Sequence, residues 1–195
     1  MLFLLRITRT KILVYKTTGH SPNNTTDNSI VQLNDRHPDI HSKIMTKEII
    51  KHYFHNDSAR RRVFLSFLRK GFIGLLLYSD KEWIGYGWMS TLEHNHPPHF
   101  PKYIVPERGF WIFYCHTLEK YRGQGLYKRV LTELKQIASL TSQNPELYID
   151  TDEDNRISQK GILATGFELI GTVGSRYFIL FDTWLHLKSK WGESN

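Results

Sequence analysis

Residues 117 to 127 read Thr117-Leu118-Glu119-Lys120-Tyr121-Arg122-Gly123-Gln124-Gly125-Leu126-Tyr127, a stretch that leaves a strand, turns on two glycines and enters a helix. Ahead of it, Gly109 to Thr117 is aromatic and β-prone, the pattern of a strand. Behind it, Leu126, Val130, Leu131, Leu134, Ile137 and Ala138 recur at helical spacing from about Gly125 to Leu140. Such a turn leaves backbone N–H groups unpaired at a helix N-terminus, where the peptide dipoles add partial positive charge. That arrangement suits an anion. Glycine lets the backbone approach anionic oxygens, because no Cβ intervenes and positive φ costs little. Arg122, with Lys120 and Lys128 nearby, supplies charge-assisted contacts. Two glycines alone would serve a plain strand-to-helix turn equally well.

Working outward, Thr46 opens a stretch through Phe67 with apolar residues at helical spacing, best divided into two helices near Asn56-Asp57-Ser58, the second capped by Asp57 or Ser58. The period then changes. Phe72 to Tyr78 and Trp83 to Met89 flank a turn at Ser79-Asp80-Lys81 and read as a β-hairpin. Beyond the central helix, Leu147 to Thr151 reads as a short strand and Asn155 to Ala164 as a short helix. Phe167 to Thr172 and Tyr177 to Phe181 read as a closing pair of strands. Residues 2 to 15 alternate loosely between apolar and basic, giving one or two strands, and Thr17 to Asn28 is a polar loop. Strands mixed with helices around a strand-turn-helix-strand unit argue for an α/β or α+β sheet covered by helices.

The central segment resembles motif A of the GNAT N-acetyltransferase superfamily: glutamine or arginine, two residues, glycine, one residue, then glycine or alanine. Arg122 and Gly125 match its first and fourth positions, and Gly123 matches a frequent variant. Tyr127 stands where the motif ends in a small residue, so its side chain is expected either to crowd the turn or to point outward. Asp154-Asn155-Arg156-Ile157-Ser158 through Gly166-Phe167 resembles motif B, with the small residue and the Gly-Phe pair at the spacing that motif requires. The resemblance covers about residues 46 to 185. It implies a mostly antiparallel central sheet of about six to seven strands, flanked by helices and splayed between its two central strands. It also implies a domain over 46–187, with 1–45 as an N-terminal extension holding a possible edge strand and a loop.

By the same resemblance the chain is an N-acetyltransferase, moving an acetyl group from acetyl-CoA to a primary amine by direct attack in a ternary complex. Cys115, Thr117, Arg122, Gly123, Gln124, Gly125, Leu126, Tyr127, Asn155 and Ser158 are the implied cofactor-binding residues, and amides near Cys115 to Leu118 the implied oxyanion donors. Acetyl transfer also needs a deprotonated amine and a proton for the leaving thiolate. The places where the family carries these groups hold Trp111, Phe113 and Ile162 here. His116, next to the expected thioester, and Glu107, at the start of the strand, are therefore the candidate catalytic residues. Strand alternation turns His116 away from Cys115, and Cys115 itself reads as a small buried hydrophobe. His94, His96 and His99 lie in a proline-rich loop without a carboxylate or thiolate partner, so no metal is expected. Asp150, Asp152 and Asp154 alternate at a strand end, where they could receive a cationic amine or simply be solvated.

The bulk composition agrees. A chain of 195 residues, 40% hydrophobic, supports one substantial core. Its formal charge of +7 suits an anionic partner, and a basic nucleic-acid-binding protein stays as an alternative, disfavoured because only Arg60-Arg61-Arg62 forms a run. A non-catalytic CoA-binding regulatory module is the other alternative. The single cysteine allows no internal disulfide and makes a reducing cytoplasm the default. The run Met1 to Leu5, broken by Arg6, is too short to span a bilayer, so no membrane partner is expected. The expected partners are acyl-CoA and a small amine-bearing acceptor, with a homodimer possible.

Overall fold

A computed structural model describes residues 6–18, 37–80, 82–91, 109–180 and 183–194. Its elements run β1 (Arg6–Thr18), β2 (His41–Ile44), α1 (Lys47–Tyr53), α2 (Ser58–Arg69), β3 (Ile73–Tyr78), β4 (Trp83–Met89), β5 (Gly109–Thr117), a 3-10 turn (Glu119–Tyr121), α3 (Leu126–Thr141), β6 (Glu146–Asp152), α4 (Arg156–Leu163), β7 (Glu168–Leu180) and β8 (Thr183–Glu193). The strands form one sheet in the order β2-β3-β4-β5-β6-β1-β7-β8. Every neighbouring pair is antiparallel except β5 with β6. The mixed, mostly antiparallel class matches the sequence reading, with eight strands in place of six to seven.

The helices begin where capping chemistry places them. The Thr46 hydroxyl accepts from the Ile49 amide at 3.4 Å, and Asp57 accepts from the Arg60 amide at 2.8 Å while pairing with the Arg60 guanidinium. Their apolar residues, Ile50, Phe54 and Phe64, pack on Leu76, Tyr86 and Trp88 on one face of the sheet. The other face carries α3 and α4: Val130, Leu131, Leu134 and Ala138 cover Leu75, Leu77, Met89, Phe110, Ile112, Leu147 and Ile149. At ~1.5–3 kcal/mol for each large apolar side chain removed from water, these two layers dominate the stability of the sheet. Among the described residues one buried charge lies within them. Arg129 of α3 is buried, paired through Nε with Glu133 at 2.7 Å, and donates from Nη1 to the Ile40 carbonyl at 2.9 Å, fastening α3 to the segment before β2.

Two expectations are corrected. Residues 6–18, read as part of an extension beside the domain, form β1 inside the sheet, pairing with β6 along one side and β7 along the other. The edge strand of that region is β2 instead. Ile12 and Val14 face one layer and Leu13 and Tyr15 the other, which is the demand on a strand covered on both sides. Likewise, the closing strands read at 167–172 and 177–181 are a single strand, β7. Gly171 and Gly174, which look like a break, are both paired within it, opposite Val14 and Lys11 of β1 and Glu193 and Lys190 of β8, although the register with β1 shifts by one residue at Gly171. Among the described residues no helix is long and apolar enough to cross a membrane, which says nothing of strands.

Candidate active site at the parting of the central strands

β5 and β6 pair only from Gly109↔Glu146 to Ile112↔Ile149. Beyond that point a bulge intervenes. Tyr86 faces His116 and Trp88 faces Phe113, so Tyr114 and Cys115 together stand opposite Gly87. Tyr114 takes a positive φ of 51°, unusual for a residue with a bulky side chain, and its ring is 48% exposed. The extra residue bends β5, and its last residues part from β6. Cys115 then packs with the α3 layer, whereas His116 stacks on Tyr86 at 5.6 Å and lies beside Trp83 in the α1–α2 layer. Burial pushes the Cys115 thiol up to about 12, away from nucleophilic chemistry at neutral pH.

The glycine turn lies at this opening. Gly123 and Gly125 have φ of 76° and 81°, left-handed conformations that glycine adopts without strain. A Cβ on Gly123 would meet nothing within 4 Å. Gly125 is the N-cap of α3 and no side chain caps the helix, so the first-turn amides face outward for a ligand. Arg122 is held over the turn by a 3.3 Å bond from Nε to the Thr117 carbonyl. The Thr117 hydroxyl beside it is buried without a hydrogen-bond partner, an atom that a ligand in the opening would satisfy. The turn itself is pinned by Glu82, which receives Lys120 and the Tyr121 hydroxyl. Gln124 reaches back to the Lys120 carbonyl at 3.4 Å. The amide of Leu118 donates to the Ile84 carbonyl at 2.8 Å, which removes it from the expected oxyanion donors.

On the opposite side of the opening, Asn155 caps α4 by accepting from the Ser158 amide at 3.1 Å. Tyr127 neither crowds the turn nor points outward. Its ring lies between α3 and α4, so close over Gly161 that a Cβ there would stand 2.5 Å from Cδ1 and 2.8 Å from Cε1. Burial pushes the Tyr127 phenol far up, and the negative forms of Cys115, Asp150 and Tyr15 push the same way against the Ser158 side chain beside it. Ile162 is fully buried.

The α1–α2 side of the opening is aromatic and basic. Arg60 lies 5.1 Å from the Trp83 ring and 5.9 Å from Tyr86. His116 is held below its ordinary pKa by burial first and then by Arg60 and Arg122, so its imidazole is neutral at pH 7. Trp111, fully buried, donates from its indole N–H to Asp150 at 3.0 Å. Arg60 was absent from the sequence-based site, although α2's cap at Asp57 places it there, against the rings of Trp83 and Tyr86. Glu107, His94, His96 and His99 lie outside the described residues. Among the described ones no three His, Cys, Asp or Glu side chains are grouped to hold a metal.

The model of the acetyltransferase (GNAT) family matches residues 39–167. No curated protein matches the chain. Solved structures share its fold. A GCN5-related N-acetyltransferase-like protein from Streptococcus suis superposes with a TM-score of 0.56 at 15% identity, covering 89% of this chain and 63% of its own. An acetyltransferase of the GNAT family from Colwellia psychrerythraea gives 0.54 at 15%, covering 84% and 54%. The aminoglycoside N-acetyltransferase AAC(6')-Iy in complex with CoA gives 0.52 at 19%, covering 66% and 88%. The chain thus spans less than two thirds of the Streptococcus and Colwellia proteins.

Proposed function

We propose that this chain, which belongs to the acetyltransferase (GNAT) family, transfers an acetyl group from acetyl-CoA to a primary amine by direct attack. The observation that carries the reading is the uncapped N-terminus of α3 on its two-glycine turn, next to a parted strand pair and a buried hydroxyl with no partner. In it, amides of Gly123 to Tyr127 and the guanidinium of Arg122 hold the pyrophosphate, and the open edge of β5 from Cys115 to Thr117 faces the pantetheine arm. Ser158 and Asn155 border the same path from α4. The acceptor approaches from the α1–α2 side, where neutral His116 takes the proton that the ammonium must lose before it attacks.

Acetyl-CoA at 100 times its dissociation constant should stabilise the fold by about 2.7 kcal/mol, which is about 5–11 °C for a domain of this size. Release of free thiol with a panel of amines then tests turnover. The buried apolar side chains of Trp111 and Ile162 favour a second reading, a module that binds CoA without chemistry. A thermal shift with no thiol release under any amine would select that second reading, and no shift at millimolar acetyl-CoA would remove both.

A further inference from the structure

Tyr114 is the residue of the opening to which the reading above gives no part. The bulge holds it in left-handed backbone, which a bulky side chain adopts only where its surroundings impose it, yet nearly half of the residue stays exposed. What the strain secures is a direction. The Tyr114 ring stands edge-on to Phe64 at 6.1 Å and to Phe67 at 5.5 Å, both on α2, and lies nearly parallel to Tyr86, at 6.2 Å and 20°. Tyr86 is nearly parallel in turn to His116, at 5.6 Å and 22°. A buried ring thus joins the exposed one, at the parting of β5 and β6, to the imidazole that takes the ammonium proton. The guanidinium of Arg60 lies over Trp83 and Tyr86 on the same side. In the adjoining cavity Asp57 is engaged by Arg60 and Glu82 by Lys120, and Asp80 shares the lining with Lys51. A polycation therefore meets positive charge there, and carboxylates that are already engaged.

We propose that the Tyr114 ring seats the acceptor, and that the acceptor is a monoamine whose nitrogen sits on a short arm from a flat aromatic ring. The inference rests on the acetyl-transfer reading and names the substrate class of that same site. A ring laid on Tyr114 continues the series Tyr114, Tyr86, His116 with the offset or edge contacts that aromatic pairs prefer. His116 comes two residues after Tyr114, about 6.6 Å along an extended strand, a step that an arm of two carbon atoms matches in scale. The nitrogen then reaches the imidazole while its ring stays on Tyr114. One amine suffices for the reaction, and a second cation would be set against Arg60.

Thiol release by the full chain under saturating acetyl-CoA tests this with three amines: 2-phenylethylamine, 2-cyclohexylethylamine, which matches it in size but has no π face, and spermidine. The kcat/KM for 2-phenylethylamine should exceed that for 2-cyclohexylethylamine by about threefold to tenfold, the worth of an aromatic pair beyond its buried area, and that for spermidine by more. Tyr114→Asn removes the ring with a residue type that accepts left-handed backbone, so the preference for phenyl over cyclohexyl should vanish, whereas Tyr114→Phe should keep it. A role confined to packing would lower both rates together and leave their ratio unmoved. An equal or reversed preference in wild type, a preference for spermidine, or a ratio that survives Tyr114→Asn overturns the acceptor class while the transfer reading stands. Release with other amines but with none of these three overturns it in the same way, and no release with any amine removes the transfer reading together with it.

Discussion

Replacing Gly161 by alanine puts the packing between α3 and α4 to a quantitative test. The new Cβ would stand 2.5 Å and 2.8 Å from two carbons of the Tyr127 ring, against about 3.5–4.0 Å for carbons in comfortable contact. Either the helices spread, which costs about 1–3 kcal/mol as overpacking, or the ring swings out and forfeits about 1.5–3 kcal/mol of burial. Alanine returns about 1 kcal/mol of helix propensity over glycine. The net expectation is a loss of about 1–2 kcal/mol, seen in urea denaturation as a lower midpoint at constant slope. In a Tyr127→Ala background the clash is gone, and the same substitution should stabilise by up to about 1 kcal/mol. The double-mutant cycle should therefore show a coupling of about 2–3 kcal/mol, far above the ~0.5 kcal/mol of independent sites. Strict additivity would refute the placement of the ring. If the ring is driven out of the gap between the helices in Gly161→Ala, toward the glycine turn, the KM for acetyl-CoA should rise as well.

Other substitutions separate binding from folding. Gly123→Ala meets open space, so its folding cost is only the left-handed φ, about 1–2 kcal/mol; a loss of CoA affinity beyond that, by calorimetry, identifies the turn as a ligand site. Arg122→Ala, which removes a charge-assisted contact at the exposed end of the turn, should weaken CoA about ten- to a hundredfold with little change in melting temperature. His116→Gln should abolish the acid limb of the kcat/KM profile, which in wild type falls with a midpoint below 6.5 because the folded pKa is depressed. The same depression means that stability is full above 6.5 and declines as pH drops from there toward the folded pKa, a slope that the variant should lessen. Arg129→Met leaves Glu133 and the Ile40 carbonyl without the guanidinium, costing about 3–5 kcal/mol in a thermal melt, most of which Arg129→Met with Glu133→Leu should restore.

Much of the scaffold could be read from the chain because its signals are local. Thr46 and Asp57 cap helices by bonds within three residues, and the hairpin of β3 and β4 closes over a short turn. What escaped was set by distant partners. β1 joins β6 across some hundred residues or more, as in Lys16↔Tyr148, and periodicity does not encode such a choice. Yet the unbroken run Ile12-Leu13-Val14-Tyr15 already carried the mark of a strand covered on both faces. The bulge at Tyr114 left no trace either, because Phe110-Trp111-Ile112-Phe113-Tyr114 is apolar or aromatic throughout and offers no polar alternation to reveal a shift of phase. Tyr127 could have been placed by pairing two oddities, a large residue where the motif ends small and a glycine in the middle of the short helix that follows.

That bulge also explains how one strand serves both sides of the opening. In a regular strand, consecutive side chains point to opposite faces while their backbone groups stay in one plane. Cys115, His116 and Thr117 resume this alternation immediately after Tyr114, at the stretch where β6 no longer pairs with them. The β6-side edge of β5, with its peptide groups, is therefore left unpaired by β6 there, with His116 on the α1–α2 face and Tyr127 reaching from α3 on the other. A sheet without the parting would bury that edge in hydrogen bonds. One without the bulge would shift His116 and every residue after it in β5 to the other layer. The two features have a single cause, one extra residue in β5, and Trp111 and Phe113 lie before it, where the strand still pairs with β6 through Trp111↔Tyr148 and with β4 through Trp88↔Phe113.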